Sequence, residues 1–146
     1  MTPSTLKEML TLRQPSPCCF VIFGASGDLT ARKLLPALHA LFCMGFLPER
    51  FRIIGVARRD WDGDYFRKLV RDSIAQFSRI SSASPQQTEQ FISSVDFASA
   101  DTATPDGFTE LAAQLNSHEC PQNRLFYLST PPREFAPIAL ALGANG

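Results

Sequence analysis

The sequence has no excess of charge of either sign and no long hydrophobic run. Lysine and arginine together number 14, as do aspartate and glutamate, so the chain lacks the basic surplus typical of proteins that bind nucleic acids or anionic membranes. No apolar stretch approaches the roughly 18 residues that span a bilayer, and Met1 to Pro17 lacks the apolar centre of a signal peptide. We therefore expect a cytoplasmic protein without nucleic-acid or membrane partners.

The cysteines also lack the spacing of a metal site. Cys18, Cys19, Cys43 and Cys120 contain no C-x-x-C pair, and no histidine stands where it would complete a zinc site. We interpret all four as reduced thiols, and we expect no bound metal.

The length indicates one folded domain. A chain of 146 residues buries roughly 70% of the surface that its unfolded form exposes. Residues 1–17, with three prolines, are predicted to form a flexible N-terminal tail. Residues 18–146 form the predicted domain.

Short apolar runs rich in aromatic and β-branched residues indicate strands covered on both faces. The predicted strands are Phe20 to Phe23, Phe51 to Val56, a brief Val95 to Phe97, and Arg124 to Ser129. Pro131 and Pro132 end the last strand and precede a final helix.

Apolar residues at helical spacing indicate helices between these strands. Pro36 lies inside the first helix and cannot donate its amide, so we expect a kink or a separate first turn there. Asp62 is predicted to cap the second helix, and Asp106 to open a later one. Residues 78–88 are assigned no regular structure, and a short helix is predicted over 88–95. Alternating strands and helices predict an α/β fold with a parallel sheet and right-handed crossovers.

The segment FGASGD places a turn with almost no side chains between the first strand and the first helix. A helix N-terminus leaves amides unpaired and carries partial positive charge, so such a turn admits a phosphate to hydrogen-bonding distance. Gly24 and Gly27 stand in a G-x-x-G-x-x-T spacing, which is related to the dinucleotide fingerprint G-x-G-x-x-G. A tight turn without a ligand is the alternative interpretation. A P-loop is disfavoured because Asp28 follows Gly27 where lysine is required.

Three charged residues follow this turn. Asp28 is interpreted as a helix cap. Arg32 and Lys33, one turn later, are placed to offset its charge and reach a phosphate, although basic residues on a helix face are often simply solvated.

The segment GVARRD, at the end of the second strand, carries the second candidate site. In a dinucleotide fold, an acid there binds the ribose 2′-hydroxyl of NAD, whereas an arginine accepts the 2′-phosphate of NADP. Arg58 comes first, and its guanidinium can hold a phosphate by paired hydrogen bonds. We therefore expect NADP to be preferred, although Asp60 complicates this interpretation and solvated arginines are the alternative.

The segment YLSTPP, beyond the last strand, is the third candidate site. Ligands of open α/β sheets lie outside the carboxyl ends of the strands, so Ser129, Thr130 and Pro131 are expected along the coenzyme path. A turn ended by prolines is the alternative. His39 and His118 have no surrounding catalytic pattern, and neither is predicted to be a base.

Four segments, in order, closely resemble the N-terminal coenzyme domain of the glucose-6-phosphate dehydrogenase family. They are FGASGDLTARKLLPALHALF, LPERFRIIGVARRD, FRKLVRDSI and NRLFYLSTPPREF. The similarity runs from about Phe20 to the end of the chain, and the combination is more specific than any one block. Thr30 and Phe97 depart from the family pattern, which often has alanine and tyrosine there. The resemblance implies a Rossmann-like doubly wound parallel sheet, of which this chain holds only the N-terminal part.

The resemblance also implies NADP as the coenzyme, with its phosphates at the glycine turn and its 2′-phosphate at the arginine pair. The implied coenzyme-binding residues are Gly24, Ala25, Ser26, Gly27, Asp28, Leu29, Lys33, Arg58, Arg59, Ser129 and Thr130. In that family, hydride passes from C1 of glucose 6-phosphate to the nicotinamide and gives 6-phosphogluconolactone. Full-length members are expected to be homo-oligomers.

The resemblance leaves the catalytic part of the family without a counterpart here. The histidine base, the E-K-P-F-G block and the sugar-phosphate site would follow Gly146, so we expect a truncated chain that binds coenzyme without catalysing. We also expect the first strand to have an unpaired edge where the other half of the sheet would join. A standalone nucleotide-binding or interaction module is the alternative. A short-chain dehydrogenase is disfavoured because neither Tyr65 nor Tyr127 is followed four residues later by lysine.

Overall fold

Four strands form one sheet in which every neighbouring pair is parallel, in the order β3-β2-β1-β4. The computed structural model describes Thr5 and residues 15–80, 83–104 and 106–144. Most of the predicted tail, residues 1–17, lies outside these described residues. The strands are β1 (Cys18–Phe23), β2 (Phe51–Ala57), β3 (Val95–Ser99) and β4 (Arg124–Leu128). The predicted α/β fold with a parallel sheet is confirmed.

Helices connect the strands and cover both faces of the sheet. They are α1 (Leu35–Cys43), α2 (Gly63–Phe77), α3 (Pro85–Ile92), α4 (Thr109–Leu115) and α5 (Phe135–Ala144). A π-helical turn, Thr30–Leu34, precedes α1, and a 3-10 turn, Pro132–Glu134, precedes α5. No helix in the described part of the chain has both the length and the apolar character needed to cross a membrane.

The π-helical turn accounts for the proline inside the first helix. The amide of Leu35 donates to the carbonyl of Thr30, five residues back, and Pro36 has no amide to donate. One extra residue in the turn therefore lets the chain enter α1 with Pro36 near its start. The predicted separate first turn is confirmed.

The first strand lies inside the sheet, not at its edge. β1 pairs with β2 on one side and with β4 on the other, and Cys19 and Val21 are fully buried. The predicted unpaired edge on β1 is wrong, because the chain crosses back over the sheet after β3 and places β4 beside β1. β3 and β4 are the two edge strands of the described sheet.

β4 also departs from the expectation that each strand is covered on both faces. Leu125 is 55% exposed and Tyr127 is 45% exposed. The described helices leave these β4 side chains uncovered, whereas Val95 and Phe97 of β3, the other edge strand, are buried. The strand ends at Leu128, one residue before the predicted boundary.

Side chains alternate between the two faces of β1 and build a core on each side. Ile22 packs in one cluster with Phe66 of α2 and Phe91 of α3. Val21 packs on the other side, in a cluster with Leu111 of α4. Each fully buried side chain of this size contributes about 1.5–3 kcal/mol. Both cores hold β1 in place and thereby fix the position of the turn that follows it.

The predicted cap of the second helix is confirmed, whereas the predicted start of a later helix is wrong. The carboxylate of Asp62 accepts a hydrogen bond from the amide of Tyr65 at 2.7 Å, which caps α2. The helix predicted to open at Asp106 begins instead at Thr109. The backbone carbonyl of Asp106, and not its side chain, accepts hydrogen bonds from the amide and hydroxyl of Thr109.

The helix before β3 starts earlier than predicted. α3 begins at Pro85 and ends at Ile92, so the end of the stretch 78–88 is helical. The Ser84 hydroxyl accepts from the Gln87 amide, and the Gln87 side chain accepts from the Ser84 amide, both at 3.1 Å. This reciprocal capping box outweighs the polar, serine-rich composition that predicted irregular structure.

All four cysteines are free thiols, as predicted. Burial raises the pKa of the thiols of Cys18, Cys19 and Cys43. Within the described ranges, no three His, Cys, Asp or Glu side chains converge in a way that could hold a metal ion.

Candidate functional site

An open cleft of about 270 Å³ lies at the carboxyl ends of β1, β2 and β4. The sheet order reverses between β1 and β4, and such switch points are where open α/β sheets bind ligands. Pro131 lines this cleft, as do six of the eleven residues implied to bind the coenzyme: Gly24, Ser26, Gly27, Arg58, Ser129 and Thr130. The structure therefore brings together parts of all three candidate segments.

The turn after β1 has a backbone that only glycine adopts without strain. Gly24 has a φ of +84°, a region that side-chain-bearing residues rarely enter. A Cβ atom on Gly24 would overlap the carbonyl of Ser129. Ser129 itself is held by its amide, which donates to the carbonyl of Phe23 at 2.9 Å. The turn and the end of β4 are thus packed backbone against backbone.

The amides of the two glycines are already used inside the turn. The Gly24 amide donates to the carbonyl of Val56 at 3.0 Å, and the Gly27 amide donates to the carbonyl of Gly24 at 2.9 Å. Among the described residues, the amides of Ser26 and Asp28 have no such internal backbone acceptor. The amides left for an anionic ligand are therefore those of Ser26 and of the first helical turn, and not those of the glycines.

Thr30, the last residue of the G-x-x-G-x-x-T spacing, stabilises the turn through a hydrogen bond from its side chain. Its side chain is fully buried, and its hydroxyl donates to the carbonyl of Gly24 at 3.0 Å. The departure from the family's usual alanine is thus accommodated, since the extra hydroxyl has an acceptor.

Asp28 does not cap the helix, so that prediction is wrong. Its carboxylate accepts from the Arg32 guanidinium at 2.7 Å, and the Asp28 side chain is 80% exposed. The prediction that Arg32 offsets the charge of Asp28 is confirmed. This exposed pair lies outside the residues that line the cleft.

Four further predicted residues do not line the cleft. Ala25 is buried against the core, and Leu29 is half exposed. Lys33 lines a separate groove with Arg32. The guanidinium of Arg59 lies 5.9 Å from the centre of the Trp61 ring. Spacing along the chain could not show on which side of the turn each side chain falls.

Thr130 carries an unsatisfied polar atom beside the cleft. Its hydroxyl oxygen is shut off from solvent and has no hydrogen-bond partner among the described residues. Buried hydroxyls are nearly always hydrogen-bonded, so an orphan at the edge of a cleft indicates a place for a polar ligand group.

Residues missed by the sequence reasoning also line the cleft. Glu134 approaches Arg58 with 3.7 Å between Oε1 and Nη2, and Thr102 lines the side beyond β3. The signal for Glu134 was its place after two prolines, which restrict the backbone before it.

Neither histidine lines the cleft. His39 is buried, and its Nε2 lies 3.1 Å from the hydroxyl of Thr88. Burial lowers the pKa of the His39 imidazole. His118 is exposed in the loop before β4.

A family model described as "Glucose-6-phosphate dehydrogenase, NAD binding domain" matches residues 21–146. The chain belongs to the glucose-6-phosphate dehydrogenase family. The resemblance carried by the four sequence segments is therefore confirmed, and this chain corresponds to the coenzyme-binding domain of the family. The class of coenzyme expected from the glycine turn, a nicotinamide dinucleotide, agrees with that domain's description.

The sequences of curated relatives align with nearly the whole chain. The glucose-6-phosphate 1-dehydrogenase of Bacillus subtilis is 37% identical over 142 residues, which are 94% of this chain and 28% of the relative. The Chlamydia muridarum enzyme is 41% identical over 138 residues, 91% of this chain and 27% of the relative. The chain thus spans little more than a quarter of the length of the curated relatives that it matches.

Solved structures of the family share the fold. A glucose-6-phosphate dehydrogenase in complex with its substrate glucose 6-phosphate has a TM-score of 0.78 and 28% identity, covering 91% of this chain and 28% of that one. The enzyme from Mycobacterium avium has a TM-score of 0.74 and 29% identity, covering 90% of this chain and 27% of its own. The Rossmann-like fold implied by the resemblance is confirmed.

Proposed function

We propose that this chain is the coenzyme-binding part of an NADP-dependent glucose-6-phosphate dehydrogenase. The complete protein would oxidise glucose 6-phosphate at C1 to 6-phosphogluconolactone. The observation that supports this most is the meeting, in one cleft at the switch point, of the glycine turn, Arg58 and the segment Ser129–Thr130. Each comes from a different part of the sequence, and the fold alone does not require these side chains to be there.

The cleft fits a dinucleotide in three respects. The turn at Gly24 presents backbone without side-chain bulk, and the amides of Ser26 and Asp28 remain for phosphate oxygens. Arg58 provides a cation at the end of β2, the place where such folds bind the ribose of the adenosine. The orphan hydroxyl of Thr130 offers a polar partner near the end of β4.

We propose that Arg58 selects NADP over NAD. Its side chain is 68% exposed, so the guanidinium is accessible to a 2′-phosphate and can hold it by paired hydrogen bonds. A carboxylate at this position would instead repel the phosphate. Asp60 and Arg59 do not line the cleft, which leaves Arg58 as the cation that faces it among the described residues.

The chain would bind and orient the coenzyme and would leave proton removal to another part of the protein. When bound, the coenzyme supplies the hydride acceptor. The residues of this chain would hold the phosphates of the coenzyme at the glycine turn. Ser129 and Thr130 would lie along its nicotinamide half. Neither histidine lies on the cleft, so we place the base for the C1 hydroxyl outside this chain. We further propose that the complete protein is a cytoplasmic homo-oligomer, as the family resemblance implies.

The experiment is a comparison of NADP and NAD binding to the chain and to Arg58→Asp. We expect NADP to bind more tightly, and Arg58→Asp to weaken NADP binding at least tenfold while changing NAD binding by less than about threefold, because hydrogen bonds to charged groups contribute about 1.5–3 kcal/mol. Arg50→Asp makes the same charge change at the opposite end of β2, where Arg50 donates to the carbonyl of His118, and should keep the preference. Equal affinities of the unaltered chain for NADP and NAD would contradict the proposal.

A further inference from the structure

The coenzyme cleft contains a carboxylate that faces its cation. Among the described residues that line the cleft, Arg58 and Glu134 are the two with formal charges. Their side chains approach to 3.7 Å between Nη2 of Arg58 and Oε1 of Glu134. The pair joins the end of β2 to the turn after β4 across the mouth of the cleft.

The local backbone holds Glu134 toward the cleft. Pro131 and Pro132 fix the entry to the 3-10 turn, and the amide of Glu134 donates to the carbonyl of Pro131 at 2.9 Å. The Glu134 side chain is 33% exposed, whereas its neighbours Arg133 and Phe135 are both exposed. Glu134 is thus the least exposed residue of this turn, and the turn fixes its backbone beside the cleft.

The position of this carboxylate conflicts with the role proposed for Arg58. A 2′-phosphate that engages the guanidinium must displace Glu134 or share the guanidinium with it, and its negative charge then comes close to the carboxylate. NAD has a hydroxyl in place of this phosphate, so it can bind while the ion pair stays intact. The carboxylate therefore opposes NADP more than NAD.

We propose that Glu134 is a specificity-determining residue that acts through Arg58. It holds the guanidinium in the absence of a 2′-phosphate and sets the preference for NADP below the level that Arg58 alone would give. This inference rests on the proposed function, because it requires the cleft to bind a nicotinamide dinucleotide with its 2′-phosphate at Arg58. The ligand moiety that responds is the phosphomonoester on the ribose, and the rest of the coenzyme is unaffected.

The test compares the dissociation constants of NADP and NAD for Glu134→Gln, which keeps the shape of the side chain and removes its charge. We expect NADP to bind about three- to tenfold more tightly, because an exposed ion pair is worth up to about fivefold in an equilibrium and the repulsion between the carboxylate and the phosphate is also removed. NAD binding should change by less than twofold. An unchanged ratio of the two constants would overturn the inference.

The matched control is Glu89→Gln. Glu89 forms an exposed ion pair with Arg71, with a distance of 2.8 Å, between α3 and α2. The control removes the same charge and also breaks one Arg–Glu pair, but outside the cleft. The ratio of its NADP and NAD dissociation constants should equal that of the unaltered chain. A gain in NADP affinity as large as that of Glu134→Gln would show a general charge effect and overturn the inference.

A second pair of variants tests whether Glu134 acts through Arg58. In an Arg58→Gln background, Glu134→Gln should improve NADP binding less than it does with Arg58 present, and a gain of equal or larger size would overturn the inference. A failure of the proposed function would give a different result. Arg58→Gln would then leave the ratio of the NADP and NAD dissociation constants unchanged, and the inference about Glu134 would also be overturned. If Arg58→Gln lowers the ratio and Glu134→Gln leaves it unchanged, the role of Arg58 stands and the role of Glu134 does not.

Discussion

The carbonyl oxygen of Ser129 occupies the space that a side chain on Gly24 would need. This relationship joins the first turn of the chain to the last strand, although the two residues are more than a hundred positions apart. Ser129 also donates its amide to the carbonyl of Phe23, the residue before Gly24. These two contacts hold the glycine turn and the end of β4 together on either side of the cleft. The shape of the site and the stability of the sheet therefore depend on the same glycine.

Gly24→Ala should lower the free energy of unfolding by about 3 kcal/mol. The positive φ of Gly24 costs a residue with a Cβ about 1–2 kcal/mol, and the overlap with Ser129 adds about 1–3 kcal/mol. The measurement is urea denaturation followed by circular dichroism.

Gly45→Ala is the matched control for this change. Gly45 ends α1 with a φ of +77°, but no atom lies within 4 Å of its added Cβ. It should therefore lose only the backbone contribution of about 1–2 kcal/mol. Equal losses for the two variants would show that the contact with Ser129 is not a tight one.

Asp96→Asn should destabilise the fold by about 1–2 kcal/mol. Asp96 on β3 accepts from Arg67 of α2 at 2.9 Å and forms an ion pair with Arg52 of β2, and its side chain is only 28% exposed. Replacing it would take the charged carboxylate partner from Arg52 and leave Arg67 with Asp64 as its remaining carboxylate.

Asp64→Asn provides the comparison for the same arginine. Asp64 also pairs with Arg67, at 2.6 Å, but its side chain is 90% exposed, so we expect a loss below about 0.5 kcal/mol. Thermal or urea unfolding of both variants decides the order, and a larger loss for Asp64→Asn would contradict this account of the network.

Stability should fall as the pH drops below about 6.5, the usual pKa of a free histidine, because His39 is buried as a neutral ring. Burial lowers the pKa of His39 in the folded state, so between the folded and unfolded pKa values the unfolded chain binds a proton that the folded chain does not. Each unit of lowering corresponds to about 1.4 kcal/mol. Above pH 7 both states are neutral at this site and the effect vanishes.

The measurement is the free energy of unfolding at several pH values between 5 and 8. His39→Gln should flatten the pH dependence in this range, whereas His118→Gln, which changes an exposed ring, should retain it. If the slope survives in His39→Gln, another group is responsible for the acid sensitivity.

The strands, the glycine turn and the family could be predicted from the sequence because their signals are local. An apolar run before Gly24, the arginine after β2 and the N-R-L-F-Y-L block each occupy a few consecutive residues. The parallel sheet follows from alternating strands and helices. What these signals do not contain is the order of the strands, so the predicted open edge on β1 was wrong.

The details of the site depend on side-chain direction, which spacing along the chain does not determine. Asp28 and Lys33 follow the turn closely in sequence, yet neither lines the cleft: Asp28 pairs with Arg32, and Lys33 lines a separate groove. Glu134 lines the cleft although it is distant in sequence from Arg58. Such contacts between distant segments appear only once the strands are assembled.

The most direct test of the central claim is a titration of the isotope-labelled chain with NADP, followed by the backbone amide resonances. We predict saturable shifts concentrated at Ser26, Asp28, Arg58, Ser129 and Thr130. Much smaller shifts are expected at residues such as His118, which lies at the opposite, amino-terminal end of the strands. A folded spectrum in which none of the cleft resonances shifts in a saturable way would contradict the claim that this cleft holds a nicotinamide dinucleotide.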